Sequence, residues 1–408
     1  MLLKSELEKI YLEQKNFIDK SDTGLERELL DEMHLNTSFV TIITGIRRSG
    51  KSTLLKQIIN HKIDNCCYLN FEDPRLTGFE LKDFEKLDDI FSNEASDPYY
   101  IFDEIQIVPF WEKFVRNKQD IGTKIIITGS NASLLSKELG TRLTGRHIDY
   151  ELFPFSYNEF VQITGQQANA NSLSDYLSKG GFPEYLKYNT QEILFRLSDD
   201  IIYRDIAVRY GIKNHKTLKE LLLYLLTNSG KLYSYNKLKH LFSVGSSNTL
   251  IDYLSFFENS YLLFSVPKFS YSIKKQIYNP KKIYSIDTGF TNALSLSFSE
   301  DSGRKLENAI FIFLKKKYKN LFYFTGKYEC DFLVRDKSKI ISAIQVCYNL
   351  NNDNLDREIN GLLEAMEATN LKEGIIVTYD QDDHFEKDKK NILVIPAWKY
   401  LSGWPNSL

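Results

Sequence analysis

Eight residues, Gly45-Ile46-Arg47-Arg48-Ser49-Gly50-Lys51-Ser52, fit the pattern of glycine, four free positions, glycine, lysine and a hydroxyl residue. The chemistry such a run can do is to grip a chain of phosphates. Its glycines let backbone amides turn inward, Lys51 can reach the outer phosphates, and the Ser52 hydroxyl can hold Mg2+. Thr53 continues a helix whose first amides also favour an anion. A second cluster, Tyr99-Tyr100-Ile101-Phe102-Asp103-Glu104, is an apolar run that ends in two carboxylates. Asp103 suits the magnesium shell, and Glu104 suits orienting or deprotonating an attacking water. Alone, an acidic pair at a strand end is as readily a helix cap. Behind a phosphate loop it reads as catalytic.

Such residues need a strand to deliver them and a helix to receive the loop. The apolar Val40-Thr41-Ile42-Ile43 enters the loop, and Ser52-Thr53-Leu54-Leu55-Lys56 leaves it in helix-compatible form. Branched or aromatic runs at 39–44, 66–71, 99–102, 124–128 and 148–153 read as strands, with helical segments such as 52–59 and 133–143 between them. That alternation predicts a parallel sheet covered on both faces.

After Pro154 the period changes. Leu173, Tyr176 and Leu177 have helical spacing and end in Gly180-Gly181-Phe182-Pro183, a helix stop. Three helical pieces at 218–226, 234–242 and 247–259, then a β-like pair at 261–267 and 282–286, read as a winged helix. From Lys305 a helix through Lys317, strands near 321–324, 331–334 and 340–348, a helix at 356–368 and a last strand at 374–378 form a second α/β unit. The expected division is a phosphate-loop core at 1–155, a helical lid at 156–210, the winged helix at 211–295 and the second α/β unit at 296–408.

Composition bounds the rest. With 408 residues and 42% hydrophobic content the chain can bury several cores. A formal charge of -2 gives no global attraction to nucleic acid or membrane, so a charged partner must meet a local patch. One patch stands out: residues 211–290 hold eleven lysines and four acids, which is where DNA would bind. Within it, Gly245-Ser246-Ser247-Asn248-Thr249 could start a helix able to meet phosphates. The same lysines also suit a protein contact or a solvated face. Four cysteines without a paired spacing argue against a disulfide or zinc scaffold. The first residues lack a signal-peptide pattern and no apolar run reaches membrane-spanning length, so the expected location is the cytoplasm and no membrane partner is expected.

The motifs GIRRSGKST, YLNFEDPR, YYIFDEIQ, TGSNASLL, ELFPFSYNEF, GGFPEY and KIYSIDTGF resemble those of a large prokaryotic family of AAA-type ATPases. Its members join the ATPase to a winged helix and a C-terminal domain resembling restriction endonucleases. The resemblance runs from Arg27 to about Phe290 and more weakly beyond. It implies ATP as ligand, with Lys51 and Ser52 on phosphate and magnesium, Asp103 supporting the metal, Glu104 activating water, and Ser130 or Asn131 sensing the γ-phosphate.

Arg142 and Arg146 lie where AAA-type proteins often carry an arginine finger, which would imply a homo-oligomer. Both equally suit solvated helix-end charges. Arg204 could sense nucleotide as well, and Asp73 with Arg75 could be a local ion pair. In the last unit, Glu307 and Asp331 match a nuclease metal site, but the next strand reads Gln345-Val346-Cys347 where an acid and a lysine belong. That departure argues against cleavage unless a lysine such as Lys339 enters from another direction. Cys347 reads as a small strand residue rather than a nucleophile. The leading expectation is an ATPase that moves its C-terminal half on DNA or protein; the competing one is a nucleotide-gated switch that turns over slowly.

Overall fold

Val40-Thr41-Ile42-Ile43-Thr44 is β-branched at every position, which stiffens the side chains and favours a pleated backbone. In the computed structural model it is β1 (Val40–Thr44), buried throughout. The structure describes residues 2–20, 22–94, 97–132, 145–296 and 301–403. The expected helix at 133–143, with Arg142, lies outside them.

Around β1 run β2 (Cys66–Asn70), β3 (Tyr99–Asp103), β4 (Ile125–Gly129) and β5 (His147–Glu151), all parallel, in the order β2-β3-β4-β1-β5. The protein therefore has an α/β fold with a parallel sheet of the kind found in P-loop AAA ATPases. Each face of the sheet carries its own core. Ile42, Leu69, Phe102 and Ile127 pack with Tyr11, Phe84, Phe91 and Trp111. Ile43, Tyr68, Ile101 and Ile126 pack with Leu54, Leu55 and Ile58. Tyr11 comes from a long N-terminal helix, Lys4–Lys20, that is not among the elements expected from sequence.

The chain divides into two compact units, Met1–Leu152 and Phe153–Leu408. In the second, helices at Tyr157–Thr164, Ala170–Lys179, Pro183–Tyr188 and Glu192–Asp200 lead into a π-type segment, Ile201–Val208. Helices His215–Thr227, Tyr235–Leu241 and Ser247–Asn259 follow, with a small antiparallel sheet of β6 (Leu232–Tyr233), β7 (Leu263–Val266) and β8 (Lys281–Ser285) in the order β6-β8-β7.

The last sheet holds β9 (Asn320–Thr325), β10 (Glu329–Asp336), β11 (Lys339–Val346), β12 (Glu373–Thr378), β13 (Asp383–Lys387) and β14 (Lys390–Pro396). Its order is β13-β14-β12-β11-β10-β9. Strands β13 and β14 extend it beyond the expected last strand at 374–378. β13, Asp-His-Phe-Glu-Lys, is an exposed edge strand with no alternation to reveal it.

Three of the sequence motifs converge on one joint in this unit. The Asp287 carboxylate accepts from Gly181 N at 2.6 Å and from Phe290 N at 2.8 Å, while Phe155 N donates to Gly181 O at 2.8 Å. A Cβ at Gly181 would overlap the Phe155 carbonyl, and one at Gly289 the Lys179 carbonyl. The glycines of GGFPEY and SIDTGF are there so that backbones can touch. These motifs build a packing joint.

Candidate functional site

Because β1 and β3 are parallel and one strand apart, their carboxyl ends deliver the phosphate loop and the acidic pair to the same edge of the sheet. Gly50, at φ 99°, turns the chain into the helix Lys51–His61. At that edge Lys51 is buried, and its Nζ donates to Gly45 O at 3.1 Å and Ile46 O at 3.3 Å and lies 3.4 Å from Glu104 Oε1. The Ser52 hydroxyl donates to Asp103 Oδ2 at 2.7 Å. The residues the sequence singled out as Gly45, Lys51, Ser52, Asp103 and Glu104 are therefore brought together.

Further residues hold them there. Tyr68 on β2 donates to Asp103 Oδ2 at 3.0 Å, and Thr128 on β4 donates to Asp103 Oδ1 and accepts from Glu104 N at 2.9 Å. Gln106 Nε2 donates to Glu104 Oε2. Arg27 Nη1 donates to Ser49 O at 2.8 Å and braces the loop from behind. None of these four was legible as a site residue: Tyr68 and Thr128 act from neighbouring strands and Arg27 from distant chain, while Gln106 stands two residues beyond Glu104 with no pattern of its own to mark it. The one available signal was for Tyr68 and Thr128, polar groups in strands otherwise buried on both faces.

The electrostatics separate the two carboxylates. Asp103 is wholly buried, and burial with the Glu104 charge raises its pKa despite hydrogen bonds from Thr128 and Ser52. Burial also works against the charge on Glu104, but Lys51, Gln106 and Arg47 outweigh it and hold its pKa below the usual glutamate value. Glu104 is thus the better-ionised member, as a proton acceptor must be. It also sits at φ 55°, ψ 41°, a left-handed conformation that costs a non-glycine residue about 1–3 kcal/mol. The Thr128 and Gln106 bonds keep it there.

Residues 37–161 match a family model described as an AAA domain, and residues 170–302 match one described as a domain of unknown function, DUF8612. A protein of Methanocaldococcus jannaschii named uncharacterized protein MJ1544 is 36% identical over 97% of this chain and 96% of its own length. One of Haemophilus influenzae is 30% identical over 89% of this chain and 94% of its own. The chain belongs to the family of these two proteins, and its phosphate-loop part is an AAA domain. Among solved structures, a Walker-type ATPase of Pyrococcus abyssi covers 66% of this chain and 95% of its own at 16% identity, with a TM-score of 0.44.

Within this family member the remaining candidates scatter. Ser130 and Asn131, both buried, follow β4 at the same sheet edge as the loop. Arg47 pairs with Glu72 at 2.9 Å, while Ile46, Arg48, Ser49 and Thr53 stay in the loop and the first helical turn. Ser49 Oγ is buried with no hydrogen-bond partner among the described residues, as a donor waiting for a phosphate oxygen would be. Arg146 precedes β5 and so lies at the opposite edge of the sheet from the loop, its guanidinium 2.7 Å from Asp120. Arg204 pairs loosely with Asp200, and Arg75 with Asp73 at 2.8 Å. No helix among the described residues is long and apolar enough to cross a membrane.

The second unit holds another lysine among acids. Lys282 of β8, almost wholly buried, lies 3.0 Å from Glu307, 2.7 Å from Glu329 and 2.7 Å from Asp331. Tyr284 donates to Glu307 Oε1 at 2.6 Å. Gln345 Oε1 accepts from Asp331 N at 3.1 Å, and its amide donates to Glu358 at 2.5 Å. Glu307, Asp331 and Gln345 thus do converge, but the lysine that joins them is Lys282 and not Lys339, which opens β11 at its far end beside Asp336. Spacing could not find it because Lys282 comes from another sheet. Burial disfavours the ammonium, yet Asp331 and Glu307 keep its pKa well above the ordinary lysine value. Burial and Asp331 push Glu307 up to about 7. Cys347 is buried, and its thiol is pushed up to about 11, which suits a strand residue and not a nucleophile.

Proposed function

We propose that the chain hydrolyses ATP and that its nucleotide state governs its hold on DNA, or on a protein partner, through its C-terminal half. One observation carries the reading: the carboxylates leaving β3 meet the lysine and serine leaving β1, with Asp103 on Ser52 and Glu104 beside Lys51. Magnesium fits this chemistry. One carboxylate and one hydroxyl with substrate phosphates is the usual protein share of a Mg2+ shell, and Ser52 with Asp103 would supply it, while the ion would neutralise charge on the phosphates.

In this reading Lys51 exchanges the Gly45 and Ile46 carbonyls for phosphate oxygens, and Glu104, freed from Lys51, takes a proton from the attacking water. Water oxygen bonds to the γ-phosphorus, the bond to the bridging oxygen breaks, and ADP leaves with that electron pair. Ser130 or Asn131 reports the γ-phosphate. Arg146 could serve only the site of another subunit, because it lies at the wrong edge of its own sheet; Arg142 is the alternative finger. The division into a core at 1–155, a lid at 156–210, a winged helix at 211–295 and a restriction-endonuclease-like domain at 296–408 belongs to the same proposal. It is supported by the three helices with β6-β8-β7 and by the mixed six-stranded sheet. With Lys282 seated among its acids, the last domain binds rather than cleaves.

Phosphate release by purified protein with Mg2+, with and without duplex DNA, tests the proposal. Turnover that DNA accelerates and that Lys51→Ala abolishes supports it. A second reading, a slow nucleotide-gated switch, is favoured by the engagement of both Glu104 oxygens, one by Lys51 and one by Gln106. Tight ATP binding with negligible turnover under every condition would select it.

A further inference from the structure

Strands β7 and β8 are antiparallel neighbours, yet fourteen residues, 267–280, connect them where a hairpin needs two to five. Phe269 packs against the core of the last sheet, but most of the rest of the extra chain is exposed. Its short helix, Ile273–Tyr278, has no buried residue. Tyr271, Ile273, Ile277 and Tyr278 are 83%, 72%, 60% and 79% exposed. Lys274 and Lys275 stand among them, also exposed, and no acid occurs anywhere between Glu258 and Asp287.

The arm is nonetheless held. One residue of β9, the buried Tyr323, fixes both of its ends: its backbone bonds Pro267 O at 3.1 Å and Phe269 N at 2.7 Å, and its hydroxyl donates to Pro280 O at 2.7 Å. Phe269 packs edge-on against Phe322, and Gln276 Nε2 donates to Ser270 O at 2.5 Å. The apolar and basic side chains are therefore presented on a fixed base, which lowers the ordering cost of binding. On the helix, Ile273 lies over Ile277 and Lys274 over Tyr278, so an apolar stripe runs beside one that carries a charge and a ring.

We infer that this arm is a binding site for single-stranded DNA, its tyrosines stacking on bases and Lys274 and Lys275 meeting phosphates. The inference rests on the proposed DNA-binding role of residues 211–290 and names the form of DNA and the residues that take it. Stacking rings interleaved with lysines are what a displaced strand requires, whereas duplex phosphates ask only for the charges. Ile273 and Ile277 suit thymine methyls and bare deoxyribose and offer nothing to a 2′-hydroxyl. A protein interface would concentrate charge at its rim, not between its apolar anchors. A six-residue helix is also short for lying in a membrane surface.

The test is fluorescence anisotropy with the full-length protein and a labelled thymidine oligonucleotide of about 16 nucleotides, the length of one generous single-strand site. The same sequence as duplex, a uridine oligomer and anionic phosphatidylserine vesicles serve as comparisons. Tyr271→Ala with Tyr278→Ala should weaken single-strand binding by about tenfold for each ring, while the Phe versions keep it. Lys274→Gln with Lys275→Gln should flatten the salt dependence by about 0.7 for each phosphate no longer neutralised. Duplex binding should be little changed by the tyrosine variants, and because these exposed side chains give up little beyond the Tyr271 bond to Ala368 O at 3.3 Å and its ring contact with Phe269, thermal unfolding should stay close to wild type. Single-strand affinity unchanged in both double variants, with duplex binding intact, overturns the arm and leaves the DNA reading standing. No binding to any DNA overturns both. Equal or tighter binding of the uridine oligomer, or loss confined to vesicles or to self-association, also overturns the assignment.

Discussion

Two buried lysines divide this molecule's chemistry between them. Lys51 donates to two backbone carbonyls and faces one carboxylate, whereas Lys282 is enclosed by three carboxylates and, among the described residues, has no carbonyl to give up. The carbonyls can be left for phosphate oxygens at little cost, because the loop's own amides and a helix N-terminus also welcome the anion. Around Lys282 an anion would meet like charge. The same side chain is therefore exchangeable in one place and fixed in the other. The lesson is that a lysine among acids says nothing until the number and kind of its partners are counted.

The comparison breaks most visibly at Glu104, the proposed catalytic carboxylate. Glu104→Gln should lower ATP turnover about 10²–10⁴-fold while nucleotide binding survives, read by phosphate release and by titration with a fluorescent ATP analogue. A variant that hydrolyses as wild type would remove Glu104 from the chemistry. At the other lysine the loss should appear in stability. Lys282→Met leaves Glu307 and Asp331 buried without their counter-ion and should cost about 3–5 kcal/mol in denaturant unfolding, with ATP binding unchanged in the protein that remains folded. A small loss there would mean that the cluster is wetter than its burial implies.

A weaker effect sharpens the view of the Asp287 joint in the same unit. Burial pushes Asp287 from 3.8 to about 6, against the bonds it accepts from Gly181 and Phe290. For a carboxyl raised in the folded state, the native protein holds its proton more tightly, so this contribution to stability is full below pH 3.8 and is lost as pH rises to about 6. The difference is about 3 kcal/mol. Asp287→Asn should remove that slope from a plot of unfolding free energy against pH.

Much of the first unit was legible. Five β-branched residues leading into a glycine-lysine loop, and an apolar strand ending in Asp103-Glu104, are local patterns with local causes. The supporting bonds were not, because Tyr68 and Thr128 reach the site from strands that only the sheet order brings together, and Arg27 comes from chain ahead of β1. In the second unit, the resemblance to restriction endonucleases singled out Glu307 and Asp331 and marked Gln345 as the departure from their pattern, while Lys282 was missed because its strand belongs to a different sheet. Strand β13 was missed for another reason: an exposed edge need not alternate.

The smallest effect separates holding from reacting at the first site. Tyr68→Phe removes one hydrogen bond from the Asp103 carboxylate and should raise the Mg2+ requirement of ATP turnover about tenfold, with turnover at saturating Mg2+ little changed. A fall in the maximal rate instead would place Tyr68 in the reaction.

The central claim is that Lys51 exchanges its partners for ATP while Glu104 does the chemistry. Equilibrium binding of a fluorescent ATP analogue to Lys51→Ala and Glu104→Gln, beside single-turnover hydrolysis by each, tests it most directly. The account predicts that Lys51→Ala loses binding and that Glu104→Gln binds as wild type but does not turn over. Undiminished binding by Lys51→Ala, or full hydrolysis by Glu104→Gln, would contradict it.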